Sequence, residues 1–220
     1  MASEGEQHRT KIGIIFDDGF AKSSLATAQI FESYGLAAVF AVIADTTNFT
    51  PGAGDFGLWN ELQSRGHIIH PHGYDHTKLS QVAPEAAVEL VRRCLSEFGE
   101  KLEGFDAAKA LYAFTYNIGT PETIQWLLPR VRAVRVGGNP FLTDDVIRSR
   151  EWTSTAFGPG DPYEHFLDHL NQCRLRKPAS LFYSLHGLDG EYWGATSSDN
   201  LRRILDLITA ENAFDYWPLT

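Results

Sequence analysis

Residues 11 to 19 read Lys-Ile-Gly-Ile-Ile-Phe-Asp-Asp-Gly, an apolar run that ends in two carboxylates and a glycine. The run is typical of a buried strand, and the segment from Ser23 to Tyr34 that follows has a helical pattern closed by Gly35. The next apolar run, Ala37 to Ile43, completes a strand–helix–strand unit. This opening unit predicts parallel strands joined by helices.

The same alternation continues along the chain. Further strands are predicted at residues 67–70, 110–114, 132–136, 180–185 and 214–217, and helices at 56–65, from 84 onward, and at 121–128, 162–175 and 199–210. About seven parallel strands predict an α/β fold, a distorted or incomplete (β/α) barrel rather than an open doubly wound sheet, since a standard eight-stranded barrel needs about 250 residues. We expect residues 11–220 to form one domain and residues 1–10 to be disordered.

Composition excludes some classes of partner. A net charge of -9 disfavours nucleic acid and anionic membranes as partners. The apolar stretch from Leu36 to Ala44 is too short to cross a bilayer, and the first ten residues lack the apolar core of a signal peptide. The chain as written is expected to be cytoplasmic, or secreted if a leader has been removed. Cys94 and Cys173 are expected to be unpaired thiols, and the sequence leaves the oligomeric state open.

The first strand ends in the adjacent carboxylates Asp17 and Asp18. Neighbouring side chains of a strand point in opposite directions, so both can face one site only if the chain turns there, and Gly19 permits a turn. A solvated Asp-Gly turn is the alternative interpretation.

The third strand leads into a histidine-rich segment that contains His67, His70, His72 and His76. One helical turn would place His72 and His76 on the same side, whereas His70 and His72 share a face if the strand continues. A histidine-rich surface loop is the alternative to a metal site. The strand 180–185 ends at His186, which taken alone is as readily a core histidine.

Because the carboxyl ends of parallel strands meet at one edge, these clusters are more informative together. One aspartate and two histidines form a mixed oxygen and nitrogen ligand set suited to Zn²⁺ or another first-row ion. A second aspartate can act as a base and a separate histidine as an acid. This inventory indicates metal-assisted hydrolysis of an acyl group.

These residues resemble the polysaccharide deacetylase family, carbohydrate esterase family four with its NodB-like homology domain. Ile15-Phe16-Asp17-Asp18-Gly19 is similar to the family's Thr-Phe-Asp-Asp-Gly, and His72-Gly73-Tyr74-Asp75-His76 is similar to its His-(Ser/Thr)-x-x-His. The residues 38–42 and 181–186 also resemble family strands, so the resemblance spans about residues 11 to 217.

The resemblance implies a distorted (β/α) barrel and a role for each motif residue. It implies that Asp18, His72 and His76 bind a divalent ion, Zn²⁺ in the first instance with Co²⁺, Ni²⁺ or Mn²⁺ as alternatives. It further implies that Asp17 is the general base, that His186 is the general acid, and that the backbone N–H of Tyr116 helps to bind the oxyanion. Tyr192, Trp193 and Trp152 are candidates for stacking on sugar rings, with packed loop anchors as the alternative.

The sequence departs from the family pattern at three places. Gly73 replaces the Ser or Thr of the second motif, and the third motif reads Phe114-Thr115-Tyr116-Asn117 without its usual arginine, which leaves Asp17 without an evident orienting group. No motif matches the one that supports the acid histidine, although Asp144, Asp145 and Trp152 lie in the corresponding part of the chain.

The expected function is metal-dependent removal of acetyl groups from an N- or O-acetylated oligo- or polysaccharide. Two alternatives are a metal-free hydrolase of cyclic amides or other small C–N substrates on the same fold, and an inactive carbohydrate-binding domain. The presence of both His72 and His76 disfavours the first, and the pair Asp17 and Asp18 disfavours the second, because binding alone needs no base.

Overall fold

The computed structural model describes residues 9–211 and 213–220 and shows an α/β fold. Its strands are β1 (Thr10–Phe16), β2 (Val39–Val42), β3 (Ile68–Pro71), β4 (Leu111–Ala113), β5 (Ala133–Gly137), β6 (Phe141–Leu142), β7 (Glu151–Ser154), β8 (Ser180–Leu185) and β9 (Phe214–Tyr216). Its α-helices are α1 (Ala21–Ser33), α2 (Phe56–Ser64), α3 (Pro84–Lys101), α4 (Pro121–Leu127), α5 (Asp144–Ser149), α6 (Tyr163–Arg176) and α7 (Ser198–Ala210). Of the segment 1–10 that we expect to be disordered, residues 1–8 lie outside the described residues, and Thr10 begins β1.

The strands form two ladders that together trace most of a barrel. One sheet has the order β3-β2-β1-β8-β6, with β9 beside the start of β1, and the other has the order β4-β5-β7. All pairs are parallel except β6, which runs antiparallel to β8. Seven parallel strands, in the order β1, β2, β3, β4, β5, β7 and β8, therefore follow one another around the fold, as the distorted-barrel prediction requires.

The two seams between the ladders are closed by isolated contacts. Beyond the end of β7, Thr155 pairs with Tyr183 of β8, and the amide of Ser184 donates to the carbonyl of Thr155 over 2.9 Å. Between β3 and β4, histidine side chains replace the ladder: His72 Nδ1–H donates to Ala113 O over 2.9 Å, and His70 Nδ1 accepts from the amide of Leu111 over 3.4 Å. Two histidines of the sequence cluster thus link β3 to β4 at this seam.

Alternating strand residues divide the core into an interior and an outer layer. The interior contains Ile15, Ala41, Phe182 and Trp152, together with Leu219 from the last residues of the chain. The outer layer packs the other strand face against amphipathic helices, for which the repeat of Ala87, Val91, Cys94 and Phe98 along α3 is representative. Both cysteines are buried and unpaired, as predicted.

Most of the predicted elements are present within a few residues of their predicted bounds. The segment 141–154 was not predicted, and it contains β6, α5 and β7. The short β9, which the sequence pattern counts among the seven strands, pairs only with the first residues of β1. None of the helices in the described residues has the length and apolar character needed to span a bilayer.

Candidate active site

The polar side chains after β1, β3, β4 and β8 meet at the carboxyl edge of the barrel. At the end of β1 the chain turns sharply, with φ of 73° at Asp18 and 82° at Gly19, and the amide of Gly19 donates to Asp17 O over 2.9 Å. A left-handed conformation at a non-glycine residue such as Asp18 is strained and is common at functional sites. The turn lets both carboxylates face the same cavity, and both are at least 93% buried, with exposed fractions of 3% and 7%.

The histidine segment after β3 brings His72 and His76 to Asp18. The segment between them is an irregular loop rather than a helical turn, and His76 has a left-handed φ of 63°. His72 Nε2 lies 3.3 Å and His76 Nε2 3.2 Å from Asp18 Oδ1. One ligand atom from each of the three residues lies within 4.8 Å of the other two, and within the described part of the chain they are the only such group of three. His70 is absent from this cluster, and its Nδ1 accepts a hydrogen bond from the amide of Leu111 in β4.

The hydrogen bonds around this cluster fit a cation at its centre. When His72 is a neutral imidazole, donation from Nδ1 to Ala113 O leaves a lone pair on Nε2 that faces Asp18. The buried Oδ1 of Asp18 has no hydrogen-bond partner in the described residues. Burial raises the pKa of Asp18, but His72 and His76 outweigh that effect and hold this pKa well below its ordinary value. An ionised carboxylate and an imidazole lone pair that face each other at contact distance are the donor set of a divalent transition-metal site.

Asp17 is held by an arginine that the sequence analysis did not identify. Arg135 of β5 is fully buried and donates from Nη1 to Asp17 Oδ2 over 2.6 Å and to Ser184 Oγ over 2.7 Å. Its Nη2 donates to Phe114 O over 3.2 Å. The signal was an arginine within the apolar run Ala-Val-Arg-Val, because a buried charge requires a partner.

A second departure from the family pattern, Gly73, also has a structural counterpart. Gly73 has a φ of +87°, and a Cβ there would lie 2.9 Å from Cγ2 of Thr115. The hydroxyl of Thr115 donates to Thr77 O over 2.9 Å, next to His76. Thr115 therefore occupies the space that a side chain at position 73 would need, and it braces the loop between the two histidines.

Tyr116 lies on the wall of the cavity with a left-handed φ of 55°, and its ring packs 4.7 Å from that of His76. The amides of the two following residues, Asn117 and Ile118, donate to Phe114 O and Thr115 O. These turn hydrogen bonds fix the backbone around Tyr116, which lines the cavity.

His186 follows β8 and faces the same cavity, with the ring of Trp193 edge-on at 4.6 Å. Burial lowers the pKa of His186, and the nearby carboxylates of Asp17 and Asp18 oppose this effect in part. Its buried Nδ1 has no hydrogen-bond partner in the described residues.

Asp144, Asp145 and Trp152, the residues in the part of the chain where a partner of His186 was sought, lie away from the cavity. Asp144 and Asp145 form the first turn of α5 after the capping Thr143, and Trp152 is a core residue packed against Trp217 and Phe182. Trp152 is buried in the core and is therefore unable to stack on a sugar, and none of these three residues lines the cavity beside His186.

The cavity around these groups has a volume of about 740 Å³. Tyr192 stacks on Phe20 at 4.3 Å and donates its hydroxyl to Pro51 O, so one of its faces is already covered and it anchors its loop. Trp193 is 47% exposed and is the better placed of the two to contact a ligand. Glu191 fixes the same loop by accepting hydrogen bonds from the amide and hydroxyl of Ser23 in α1.

Comparison with known proteins agrees with this architecture. The Polysaccharide deacetylase family profile matches residues 4–136. No curated protein sequence matches the chain.

Several solved structures share its fold at low sequence identity. The Xyl-CE4 domain of a multidomain xylanase from the hindgut metagenome of Trinervitermes trinervoides has a TM-score of 0.64 at 15% identity, covering 95% of this chain and 87% of that one. The catalytic domain of a peptidoglycan N-acetylglucosamine deacetylase from Eubacterium rectale has a TM-score of 0.60 at 18% identity, covering 100% and 93%. A family 4 acetyl xylan esterase from Clostridium thermocellum, in complex with a cobalt ion, has a TM-score of 0.63 at 13% identity, covering 94% and 87%.

Proposed function

Because this chain belongs to the polysaccharide deacetylase family, we propose that it is a metal-dependent hydrolase that removes acetyl groups from an acetylated carbohydrate. The observation that carries the proposal is the convergence of Asp18, His72 and His76 within 4.8 Å of one another at the strand ends. A divalent ion held by these three residues, Zn²⁺ in the first instance, would polarise the acetyl carbonyl and lower the pKa of a water molecule.

Asp17 acts as the general base in this proposal. Its Oδ2 is tied to Arg135, whereas its Oδ1 has no hydrogen-bond partner in the described residues and is free to take a proton from water. The buried ion pair fixes the orientation of the carboxylate, and Ser184 in turn holds the guanidinium. Arg135 therefore acts through Asp17 as a positioning residue.

Two further groups complete the chemistry. The backbone N–H of Tyr116 donates to the oxygen that becomes negative when the acetyl carbon is attacked. His186 gives a proton to the departing amine or alcohol. Burial lowers the pKa of His186, and the carboxylates of Asp17 and Asp18 oppose this effect and favour its protonated form. The products are acetate and the deacetylated sugar.

The substrate class follows from the cavity and from the family. A cavity of about 740 Å³ accommodates a sugar unit in addition to the acetyl group, and Trp193 offers an apolar surface for a pyranose ring. The similar structures include proteins named as an acetyl xylan esterase and a peptidoglycan N-acetylglucosamine deacetylase, which supports an acetylated oligo- or polysaccharide as the substrate.

The test is acetate release from acetylated xylo-oligosaccharides and from N-acetylglucosamine oligomers, measured with added Zn²⁺ and again with a chelator. We expect release that the chelator abolishes. Asp17→Asn should bind the metal but lose turnover, and His72→Ala should lose both. Asp75→Asn is the matched control, since this exposed carboxylate lies in the same loop outside the cluster, and it should retain both.

The outcomes separate the alternatives. Hydrolysis that is insensitive to the chelator would favour a metal-free hydrolase, and saccharide binding without acetate release would favour an inactive binding domain. Full activity of Asp17→Asn would refute the assignment of the base.

A further inference from the structure

The cavity at the strand ends is far larger than an acetyl group. Its volume of about 740 Å³ lies within the range of sites that enclose whole small ligands. Side chains on its wall beyond the Asp18, His72 and His76 cluster are therefore available to contact the sugar that would carry the acetyl group. The charges of these wall residues decide which sugars fit.

Lys78 is the one lysine or arginine on the wall of this cavity in the part of the chain that the structure describes. It is half-buried, and within residues 9–211 and 213–220 it forms no ion pair with a carboxylate. Arg135, the buried cation of the site, directs its charge at Asp17. The positive charge of Lys78 is therefore free to act on a ligand.

The ring of Tyr116 lies between Lys78 and the proposed acetyl site. Its Nζ lies 5.8 Å from the centroid of the Tyr116 ring, and the same ring packs 4.7 Å from His76. Contact with the face of an aromatic ring holds an ammonium group in place without neutralising it. An acetyl group beside His76 would bring its own sugar unit, or the adjoining one, within reach of Lys78.

The other charges of the cavity leave the attraction between Lys78 and an anionic ligand unopposed at short range. The protein carries a net charge of -9, which would repel an anionic saccharide at long range. Within the cavity, however, Asp17 is paired with Arg135 and Asp18 faces two imidazoles. Since charges beyond about 8 Å are screened at physiological salt, the local unpaired cation dominates at contact range.

We propose that Lys78 selects acetylated saccharides that carry a carboxylate on the sugar unit entering the cavity, such as acetylated uronates. The proposal rests on the deacetylase function and names the substrate class of that site. The ammonium group of Lys78 pairs with the sugar carboxylate while the acetyl group lies beside Asp18, His72 and His76.

The experiment compares matched anionic and neutral substrates. One pair is an O-acetylated glucuronate oligomer against an O-acetylated glucose oligomer, and the other is N-acetylglucosaminuronate against N-acetylglucosamine. We expect wild-type kcat/KM to favour the anionic member by about two- to fivefold, the scale of a partly exposed ion pair. Lys78→Gln should remove this preference, Lys78→Arg should retain it, and 0.5 M NaCl should weaken it.

A matched control removes the same charge elsewhere. Lys109 is 85% exposed at its side chain and does not line this cavity, so Lys109→Gln should keep the wild-type preference. Equal kcat/KM for both members of each pair, or an undiminished preference in Lys78→Gln, would overturn the proposal.

A binding measurement keeps the two proposals distinguishable. Calorimetric titration with the deacetylated glucuronate and glucose oligomers reports charge selection even if neither acetylated substrate is cleaved. Absence of cleavage together with Lys78-dependent binding of the uronate would refute the hydrolase but keep the subsite. Cleavage of both substrates without charge preference would support the hydrolase but refute the Lys78 subsite.

Discussion

The buried pair of Arg135 and Asp17 gives the sharpest prediction about this molecule. Both side chains are almost inaccessible, with exposed fractions of 0% and 3%, and Nη1 lies 2.6 Å from Oδ2. Removing one partner of a buried ion pair costs about 3–5 kcal/mol, because the remaining charge stays buried without compensation. We therefore expect Arg135→Met to lower the free energy of unfolding by about that amount.

A double variant separates the energy of the ion pair from the loss of side-chain packing. Asp17→Asn also removes the charge that Arg135 compensates, so the combined variant Asp17→Asn/Arg135→Met should lose less stability than the two single changes summed. We expect a coupling free energy of about 2–3 kcal/mol, within the range measured for groups in direct contact. The exposed pair Arg148 and Asp145 is the control, with side chains 69% and 89% exposed, and its cycle should give less than about 1 kcal/mol.

The assay is urea unfolding in the presence of a chelator, followed by circular dichroism and by the fluorescence of the five tryptophans. The chelator removes any contribution of metal binding, which would otherwise stabilise the folded state. Additive losses within about 0.5 kcal/mol, or a coupling as small as that of the surface pair, would refute the account of this ion pair. Arg135→Lys should recover part of the acetate release, and both Arg135 variants should still bind the metal.

Three further predictions concern the surroundings of the site. Gly73→Ser should lower the free energy of unfolding by about 2 kcal/mol, because φ is +87° and the new Cβ would meet Thr115. The control Gly99→Ser, at an exposed position of a helix, should leave the free energy of unfolding nearly unchanged. Chemical denaturation measures both. Burial lowers the pKa of His70 from about 6.5 to about 3, so the unfolded chain takes up this proton first and stability falls as the pH drops through that window. His70→Gln should flatten this decline by up to about 1.4 kcal/mol per pH unit, and an unchanged slope in pH-dependent unfolding would contradict the assignment. Glu191→Ala should raise KM several-fold and lower the free energy of unfolding by about 1 kcal/mol, because Glu191 joins the loop that carries Tyr192 and Trp193 to the first turn of α1. Steady-state kinetics and thermal unfolding test this.

The fold could be predicted because its strands are short, apolar and separated by amphipathic segments. The stretch 11–19 already contains a buried strand, its end and the turn that follows. The segment 141–154 was missed because β6 has two residues and α5 six, too few to show a period. The polar start of α5 also resembled a possible functional motif rather than a capped helix.

The candidate site could be predicted wherever its residues follow strand ends directly. Asp17, Asp18, His72 and His186 all do so, and parallel topology brings such positions to one edge. His76 depended on the path of an irregular loop, which spacing alone does not fix. Arg135 was missed because it lies inside a strand and acts across the barrel, 118 residues from its partner.

The interpretation of the histidine cluster shows what periodicity leaves open. Strand alternation correctly places His70 and His72 on one face, but that face runs along a seam, so His70 Nδ1 accepts from Leu111 while His72 reaches Asp18. Only the three-dimensional arrangement separates the seam residue from the cluster residue.

The account depends most directly on a divalent ion bound between Asp18, His72 and His76. Titration of metal-free protein with Co²⁺, followed by visible absorption and calorimetry, measures this without reference to any substrate. We expect one ion per chain with micromolar or tighter affinity, an absorption band of histidine-bound Co²⁺, and loss of both signals in His72→Ala and His76→Ala. Absence of saturable binding, or binding that survives both substitutions, would contradict the proposed metal centre.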